Sequence, residues 1–222
     1  MREAIAQGSA LLWKDLLLEL RSRDVFAGML VFALVVVVVF NFAIDLRVES
    51  AEAVAPGIVW VAVLFAGVLG VGRTISVELD RGTLEGILLA PVDRGVIYVA
   101  KLGGNALYML LMEAMIFPIF AALYDVPILK WELVPIAFLG TLGFSGVGTT
   151  FAAMAASSRS RELLLPVLLF PISVPVIIGS VQATAAMIAP SSAELPWLGL
   201  LAAFDAIFIV LGLLTFEYIM ER

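Results

Sequence analysis

The sequence predicts an all-α integral membrane protein, one domain over 1–222 with six transmembrane helices and an amphipathic helix leading into the first span. Hydrophobic residues make up 63% of the chain, charged residues 14%, and mean hydropathy is +1.11, so too little polar surface exists to cover a water-exposed globule. Long uncharged stretches recur from end to end with no polar block between them. Basic residues gather on alternate connections. With a cytoplasmic N-terminus, Arg2, Lys14, Arg21, Arg23, Arg73, Arg81, Arg94, Lys101, Arg159, Arg161 and Arg222 lie inside, and only Arg47 and Lys130 lie outside. Both termini are therefore expected in the cytoplasm.

A helix needs about 20 apolar residues to cross the hydrocarbon, because every backbone N–H and C=O must be satisfied within the segment. Ahead of the first such run, Ile5, Leu12, Trp13, Leu16, Leu17 and Leu20 share one helical face. Lys14, Asp15, Glu19 and Arg21 fall on the other, with Leu11 and Leu18 among them. Residues 1–23 thus read as a helix lying in the cytoplasmic interface or packed on the protein's own loops. Asp24 and Asp45 bracket the first span, near 25–44. Its run Val35 to Val39 would favour a strand in water, but an open strand is excluded in lipid and helix wins. Glu52 and Arg73 bracket the second span, near 54–73; the third, near 97–122, is interrupted only by Glu113. The fourth falls near 134–157 and the fifth near 163–185, and the last, near 197–217, is interrupted only by Asp205. The outer connections are short and acidic, leaving no external domain to capture a ligand. The first residues lack the basic, apolar and small-residue sequence of a cleaved signal, and none is expected.

Helices that pack closely in lipid present small residues every fourth position. The fourth span does so at Thr141, Ser145, Thr149, Ala153 and Ser157, the second at Ala62, Ala66, Gly70 and Thr74. These stripes serve either static packing or sliding between moving helices. Pro166, Pro171 and Pro175 each delete a backbone hydrogen bond, so the fifth span is expected to kink, break or even turn back before crossing. Glu113 and Asp205 are intramembrane carboxyls, each costing at least about 2.5 to 3.5 kcal/mol as a charge at the bilayer centre. Each is a polar point in a substrate path, a proton-linked switch, or a carboxyl hydrogen-bonded to a neighbouring helix. A pair of acids suggests an intramembrane aspartic hydrolase only if the two approach each other, and neither lies in a recognisable motif.

The chain has no Cys and no His, which removes disulfides, thiolate chemistry, imidazole metal ligands and His-based acid/base catalysis. The net charge of -6 gives no support for nucleic-acid binding. Its three lysines precede Asp15, Leu102 and Trp131, so no phosphate-binding loop ends in Lys-Ser or Lys-Thr, and nucleotide is expected on another chain. Without His or Cys the usual axial ligands to heme iron are missing, leaving Met or Tyr.

Between the second and third spans, Thr83 offers an N-cap and Leu84, Ile87 and Leu88 form an apolar face ended by Pro91. This is a short amphipathic helix with acids beside it. It either lies on the membrane or seats in a groove of a cytoplasmic partner and passes that partner's motion to the spans it joins. The stretch 78–101, with Gly82-Thr83-Leu84-Glu85, Leu88, Pro91 and Lys101, resembles the first coupling helix of type-2 ABC exporter permeases. Residues 161–176, Arg-Glu-Leu-Leu-Leu-Pro-Val-Leu-Leu-Phe-Pro-Ile-Ser-Val-Pro-Val, resemble the signature of the heme exporter protein B (CcmB) family, which length, span count and lead-in helix also match.

That resemblance implies a permease subunit of an ABC-type complex for cytochrome c maturation in the cell inner membrane. It implies a homodimer with two copies of a cytoplasmic ATPase, joined by a heme-handling membrane subunit and an external heme chaperone. Heme is then the transported or handled species, ATP sits on the partner, and this chain binds no cofactor or metal of its own and carries no catalytic residue. The implied ATPase contacts are Glu78, Asp80, Arg81, Gly82, Thr83, Leu84, Glu85, Leu88 and Pro91, with Arg159, Arg161 and Glu162 as a second element. ATP-driven motion either exports heme or releases the loaded chaperone. Two alternatives stand beside this: a type-2 ABC permease for a lipid or hydrophobic drug, and a non-transporting membrane scaffold.

Overall fold

The computed structural model describes residues 2–22, 24–44, 51–80, 86, 89, 91–156, 158, 160–189 and 196–220. Among these, the long elements are all helices: α1 (Arg2–Ser22), α2 (Asp24–Ile44), α3 (Ala51–Asp80), α4 (Arg94–Tyr124), α5 (Leu133–Ala156), α6 (Arg161–Ile188) and α7 (Trp197–Met220). No strand occurs among the described residues. Six helices, α2 to α7, are long and apolar enough to cross a membrane, and the protein is a multi-pass α-helical membrane protein.

Burial divides the six into a centre and a rim. Most of α3 and α5 is buried, whereas little of α2 and α7 is. Helix α5 packs on α3, α4, α6 and α7, and α3 packs on α2, α4, α5 and α6. The outer faces stay apolar: Val31, Val35, Val39 and Phe42 on α2 and Ile207, Val210 and Leu214 on α7 are exposed, as suits a helix whose solvent is lipid.

Close approach at the centre depends on missing side chains. A Cβ on Gly70 would overlap the Met29 side chain, so α2 and α3 approach closely at this position. Asp93 caps α4 by accepting from Gly95 N at 2.8 Å, and Asp125 ends the helix in the left-handed region at φ 52°. At the far end of the bundle, Lys130 Nζ donates to Met187 O at 2.7 Å and ties the α4–α5 connection to the end of α6.

Two features go beyond the sequence expectation. The candidate span on α3, Glu52–Thr74, ends close to the expected 73, but the helix itself runs on unbroken to Asp80, carrying Glu78 and Asp80 on it. No Pro or Gly lies between Arg73 and Asp80, so nothing interrupts the hydrogen-bond ladder, and its 30 residues reach about 45 Å against a hydrocarbon of about 30 Å. Helix α6 passes Pro166, Pro171 and Pro175 as one continuous helix and does not turn back. Pro56 in α3 and Pro118 in α4 are likewise accommodated, because neighbouring helices and local adjustment re-satisfy the freed carbonyls.

Candidate functional site

A polar seam runs between α4 and α5. On α4, Lys101, Asn105, Met109 and Glu113 recur every fourth residue and so form one row. On α5 the matching row is the small-residue stripe Thr141, Ser145, Thr149 and Ala153, all buried. The helices run antiparallel and the rows pair in order. Asn105 Nδ2 donates to Thr149 Oγ1 at 2.9 Å, Ser145 Oγ lies 3.6 Å from Met109 Sδ, and Thr141 Oγ1 donates to Glu113 Oε1 at 2.5 Å. Small side chains let the backbones close while their hydroxyls satisfy part of the α4 row. The seam is not fully satisfied: Glu113 Oε2 and Asn105 Oδ1 are buried with no hydrogen-bond partner among the described residues.

At the foot of the seam, Lys101 Nζ donates to Asp15 Oδ2 of α1 at 2.9 Å. The two side chains are 4% and 7% exposed, which makes this a buried ion pair. Lys14 reaches Asp15 Oδ1 at 3.1 Å from a more open position. The expected amphipathic face of α1 is therefore divided. Leu16 packs inward with Leu11, Trp13 and Leu17 point outward, and Asp15, on the side expected to be solvated, faces α4.

The two intramembrane acids are both buried but stand on opposite sides of α5. Glu113 meets Thr141, while Asp205 of α7 rests on Gly143, where a Cβ would overlap its carboxyl. Positions 141 and 143 point about 200° apart around the helix, so α5 itself lies between the acids and they form no shared dyad. Both Asp205 oxygens lack a hydrogen-bond partner among the described residues.

Between the C-terminal halves of α5 and α7 lies a cavity of about 510 Å³, lined by Phe151, Met154, Phe208, Leu211, Thr215 and Tyr218 among others. Its volume is within the usual range for a small-molecule site, and its walls are apolar with a few hydroxyls. Among the described residues no cluster of acidic side chains is placed to hold a metal ion.

Residues 6–220 match the model of the family described as CcmB protein. The chain belongs to the CcmB family. It is similar to heme exporter protein B of Pseudomonas aeruginosa, 30% identical over 202 residues that cover 88% of this chain and 89% of that protein. It is similar too to heme exporter protein B of Paracoccus denitrificans, 31% identical over 176 residues covering 78% and 80%. With heme exporter protein B of Escherichia coli K12 it shares 30% identity over 203 residues, covering 88% and 89%.

In this CcmB-family chain the expected ATPase contacts are described only in part. Arg81, Gly82, Thr83, Leu84, Glu85, Leu88 and Arg159 lie outside the described residues, and with them most of the short helix expected between Gly82 and Pro91. Glu78 and Asp80 end α3, Arg161 and Glu162 begin α6, and Pro91 is exposed just before α4. Sequence reading missed Asn105 and the Asp15–Lys101 pair. The four-residue spacing of Lys101, Asn105 and Glu113 was the available signal, since a single helical face carrying three polar groups in an apolar span demands a polar partner.

Proposed function

We propose that this chain is the permease subunit of an ABC-type complex in cytochrome c maturation, in which ATP hydrolysed on a separate cytoplasmic chain drives heme export or release of a heme-loaded chaperone. The observation that carries the reading is the match to the CcmB family across residues 6–220, joined to relatives that are heme exporter proteins. Three features support it. No lysine of this chain sits in a phosphate-binding loop, so the nucleotide site belongs elsewhere. Helix α3 projects past its span to Asp80 and so leads directly into the segment 78–91 that would seat in the ATPase. The distribution of basic residues favours the same side for that segment and for both termini, in the cytoplasm of a cell inner membrane.

In this reading the contacts are Glu78, Asp80, Arg81, Gly82, Thr83, Leu84, Glu85, Leu88 and Pro91, with Arg159, Arg161 and Glu162 at the start of α6. The chain acts as a homodimer with two ATPase copies, a heme-handling membrane subunit and an external chaperone. Force applied near 78–91 enters the bundle along α3 and α4, which flank that segment and both pack on α5. Affinity purification from the native membrane tests the proposal: a co-purifying ATPase and absorbance at heme wavelengths are expected. A preparation with no ATPase would overturn it.

A further inference from the structure

The buried ion pair between α1 and α4 is unexplained by a helix that merely floats at the membrane surface. Such a helix turns its apolar residues to lipid and its charges to water. Here Trp13 and Leu17 do face outward, at 60% and 38% exposure, but Asp15 is turned into the protein and is 7% exposed. The contacts form a line along the helix. Gln7 Nε2 donates to Pro91 O at 3.5 Å, Gly8 lies against Val96, Leu12 lies over Gly103, and Asp15 closes the line on Lys101 at 2.9 Å. The line begins at Pro91, the last residue of the segment 78–91, and continues up the first turns of α4.

We propose that the Asp15–Lys101 pair is a positioning contact that fastens α1 to α4, so that α1 travels with the cytoplasmic end of α4 in each ATP-driven cycle. The proposal rests on the ABC-permease reading above and names the element that receives the motion. A buried pair suits the role, since parting two charged side chains that are 4% and 7% exposed gives up their mutual attraction at low dielectric and sliding is thereby resisted. Only Arg23 separates α1 from α2, so displacement of α1 is delivered to a rim helix that otherwise touches the centre through α3 and α4. Motion entering at 78–91 then reaches α2 by a route outside the central helices.

The test uses the purified complex with its co-purifying ATPase, measuring ATP turnover per assembled complex. Because the chain has no Cys, a Gly8→Cys, Val96→Cys pair can be oxidised to a single disulfide. Oxidation is expected to leave turnover within about twofold of the reduced complex, whereas arrest on oxidation would overturn the proposal. Asp15→Asn is expected to assemble in normal yield with turnover lowered about tenfold, and oxidising the disulfide in that background is expected to restore it. A merely stabilising pair would lower yield and leave turnover per complex unchanged, which also overturns the proposal. Where Asp15→Asn fails to fold, the exchanged pair Asp15→Lys with Lys101→Asp decides by recovering turnover or not, and where that too fails, the disulfide in the otherwise native chain decides alone. Native chain that purifies without an ATPase defeats the permease reading itself, an outcome distinct from all of these.

Discussion

Replacing Thr141 by Val removes the hydrogen bond that Thr141 donates to the buried Glu113 carboxyl. Thr141 Oγ1 donates to Glu113 Oε1 at 2.5 Å, Glu113 is 1% exposed, and its second oxygen already lacks a partner among the described residues. Valine preserves the volume and branching of threonine, so packing between α4 and α5 is kept and the loss isolates the hydrogen bond. Interhelical hydrogen bonds in membranes average about 0.6 kcal/mol because the unfolded chain in lipid finds partners of its own. A buried carboxyl that loses this donor belongs nearer the range of about 1 to 3 kcal/mol for an orphaned buried group. We therefore expect Thr141→Val to cost about 2 kcal/mol. Thr141→Ser, which keeps the hydroxyl, should cost less than about 1 kcal/mol, and Glu113→Gln, which keeps the acceptor, should cost about as little. Glu113→Leu combined with Thr141→Val should be less destabilising than Thr141→Val alone, since no polar group is left behind. Unfolding of the purified chain in mixed micelles, followed by tryptophan fluorescence, measures each value. A Thr141→Val loss below about 0.5 kcal/mol, or equal losses for Val and Ser, would refute the seam as an energetic unit.

Other consequences follow from particular contacts. Gly143→Val should drive a side chain into the Asp205 carboxyl and lower stability by about 1 to 3 kcal/mol in the same unfolding measurement, with much of the loss recovered when Asp205→Ala is added. Gly70→Val should separate α2 from α3 at Met29 and increase proteolytic cleavage between these helices, with Gly57→Val, whose Cβ would meet nothing within 4 Å, as the tolerated control. Under the proposed function, Glu85→Lys should reduce ATPase stimulation in the purified complex without lowering the folded yield of this chain, as measured by size-exclusion of the detergent-solubilised protein.

Hydropathy and charge placement were enough to reach an all-helical membrane protein with six candidate spans, since a bilayer admits few solutions for long uncharged runs. The small-residue stripe at Thr141, Ser145 and Thr149 was also visible in one dimension, because a period of four needs no knowledge of the partner. Less was legible at the helix ends. The continuation of α3 to Asp80 depends on an unbroken ladder beyond the hydrocarbon, where apolar patterning no longer reports it. The continuity of α6 through Pro166, Pro171 and Pro175 depends on how neighbouring helices and local adjustment re-satisfy freed carbonyls, which a proline count does not record.

What the amino-acid order determined by itself was the solvent of this protein, the number of its candidate membrane helices and which residues share a face. What only the tertiary structure decided was how those faces turn toward each other. Asp15 was readable as a charge on the polar side of α1, but its partner Lys101 lies 86 positions away and nothing local points from one to the other. Glu113 and Asp205 were equally readable as acids in apolar spans, yet Thr141 and Gly143 seat them on opposite sides of α5. Periodicity sets angles within a helix. The rotation of one helix against the next comes from the packing of all of them at once.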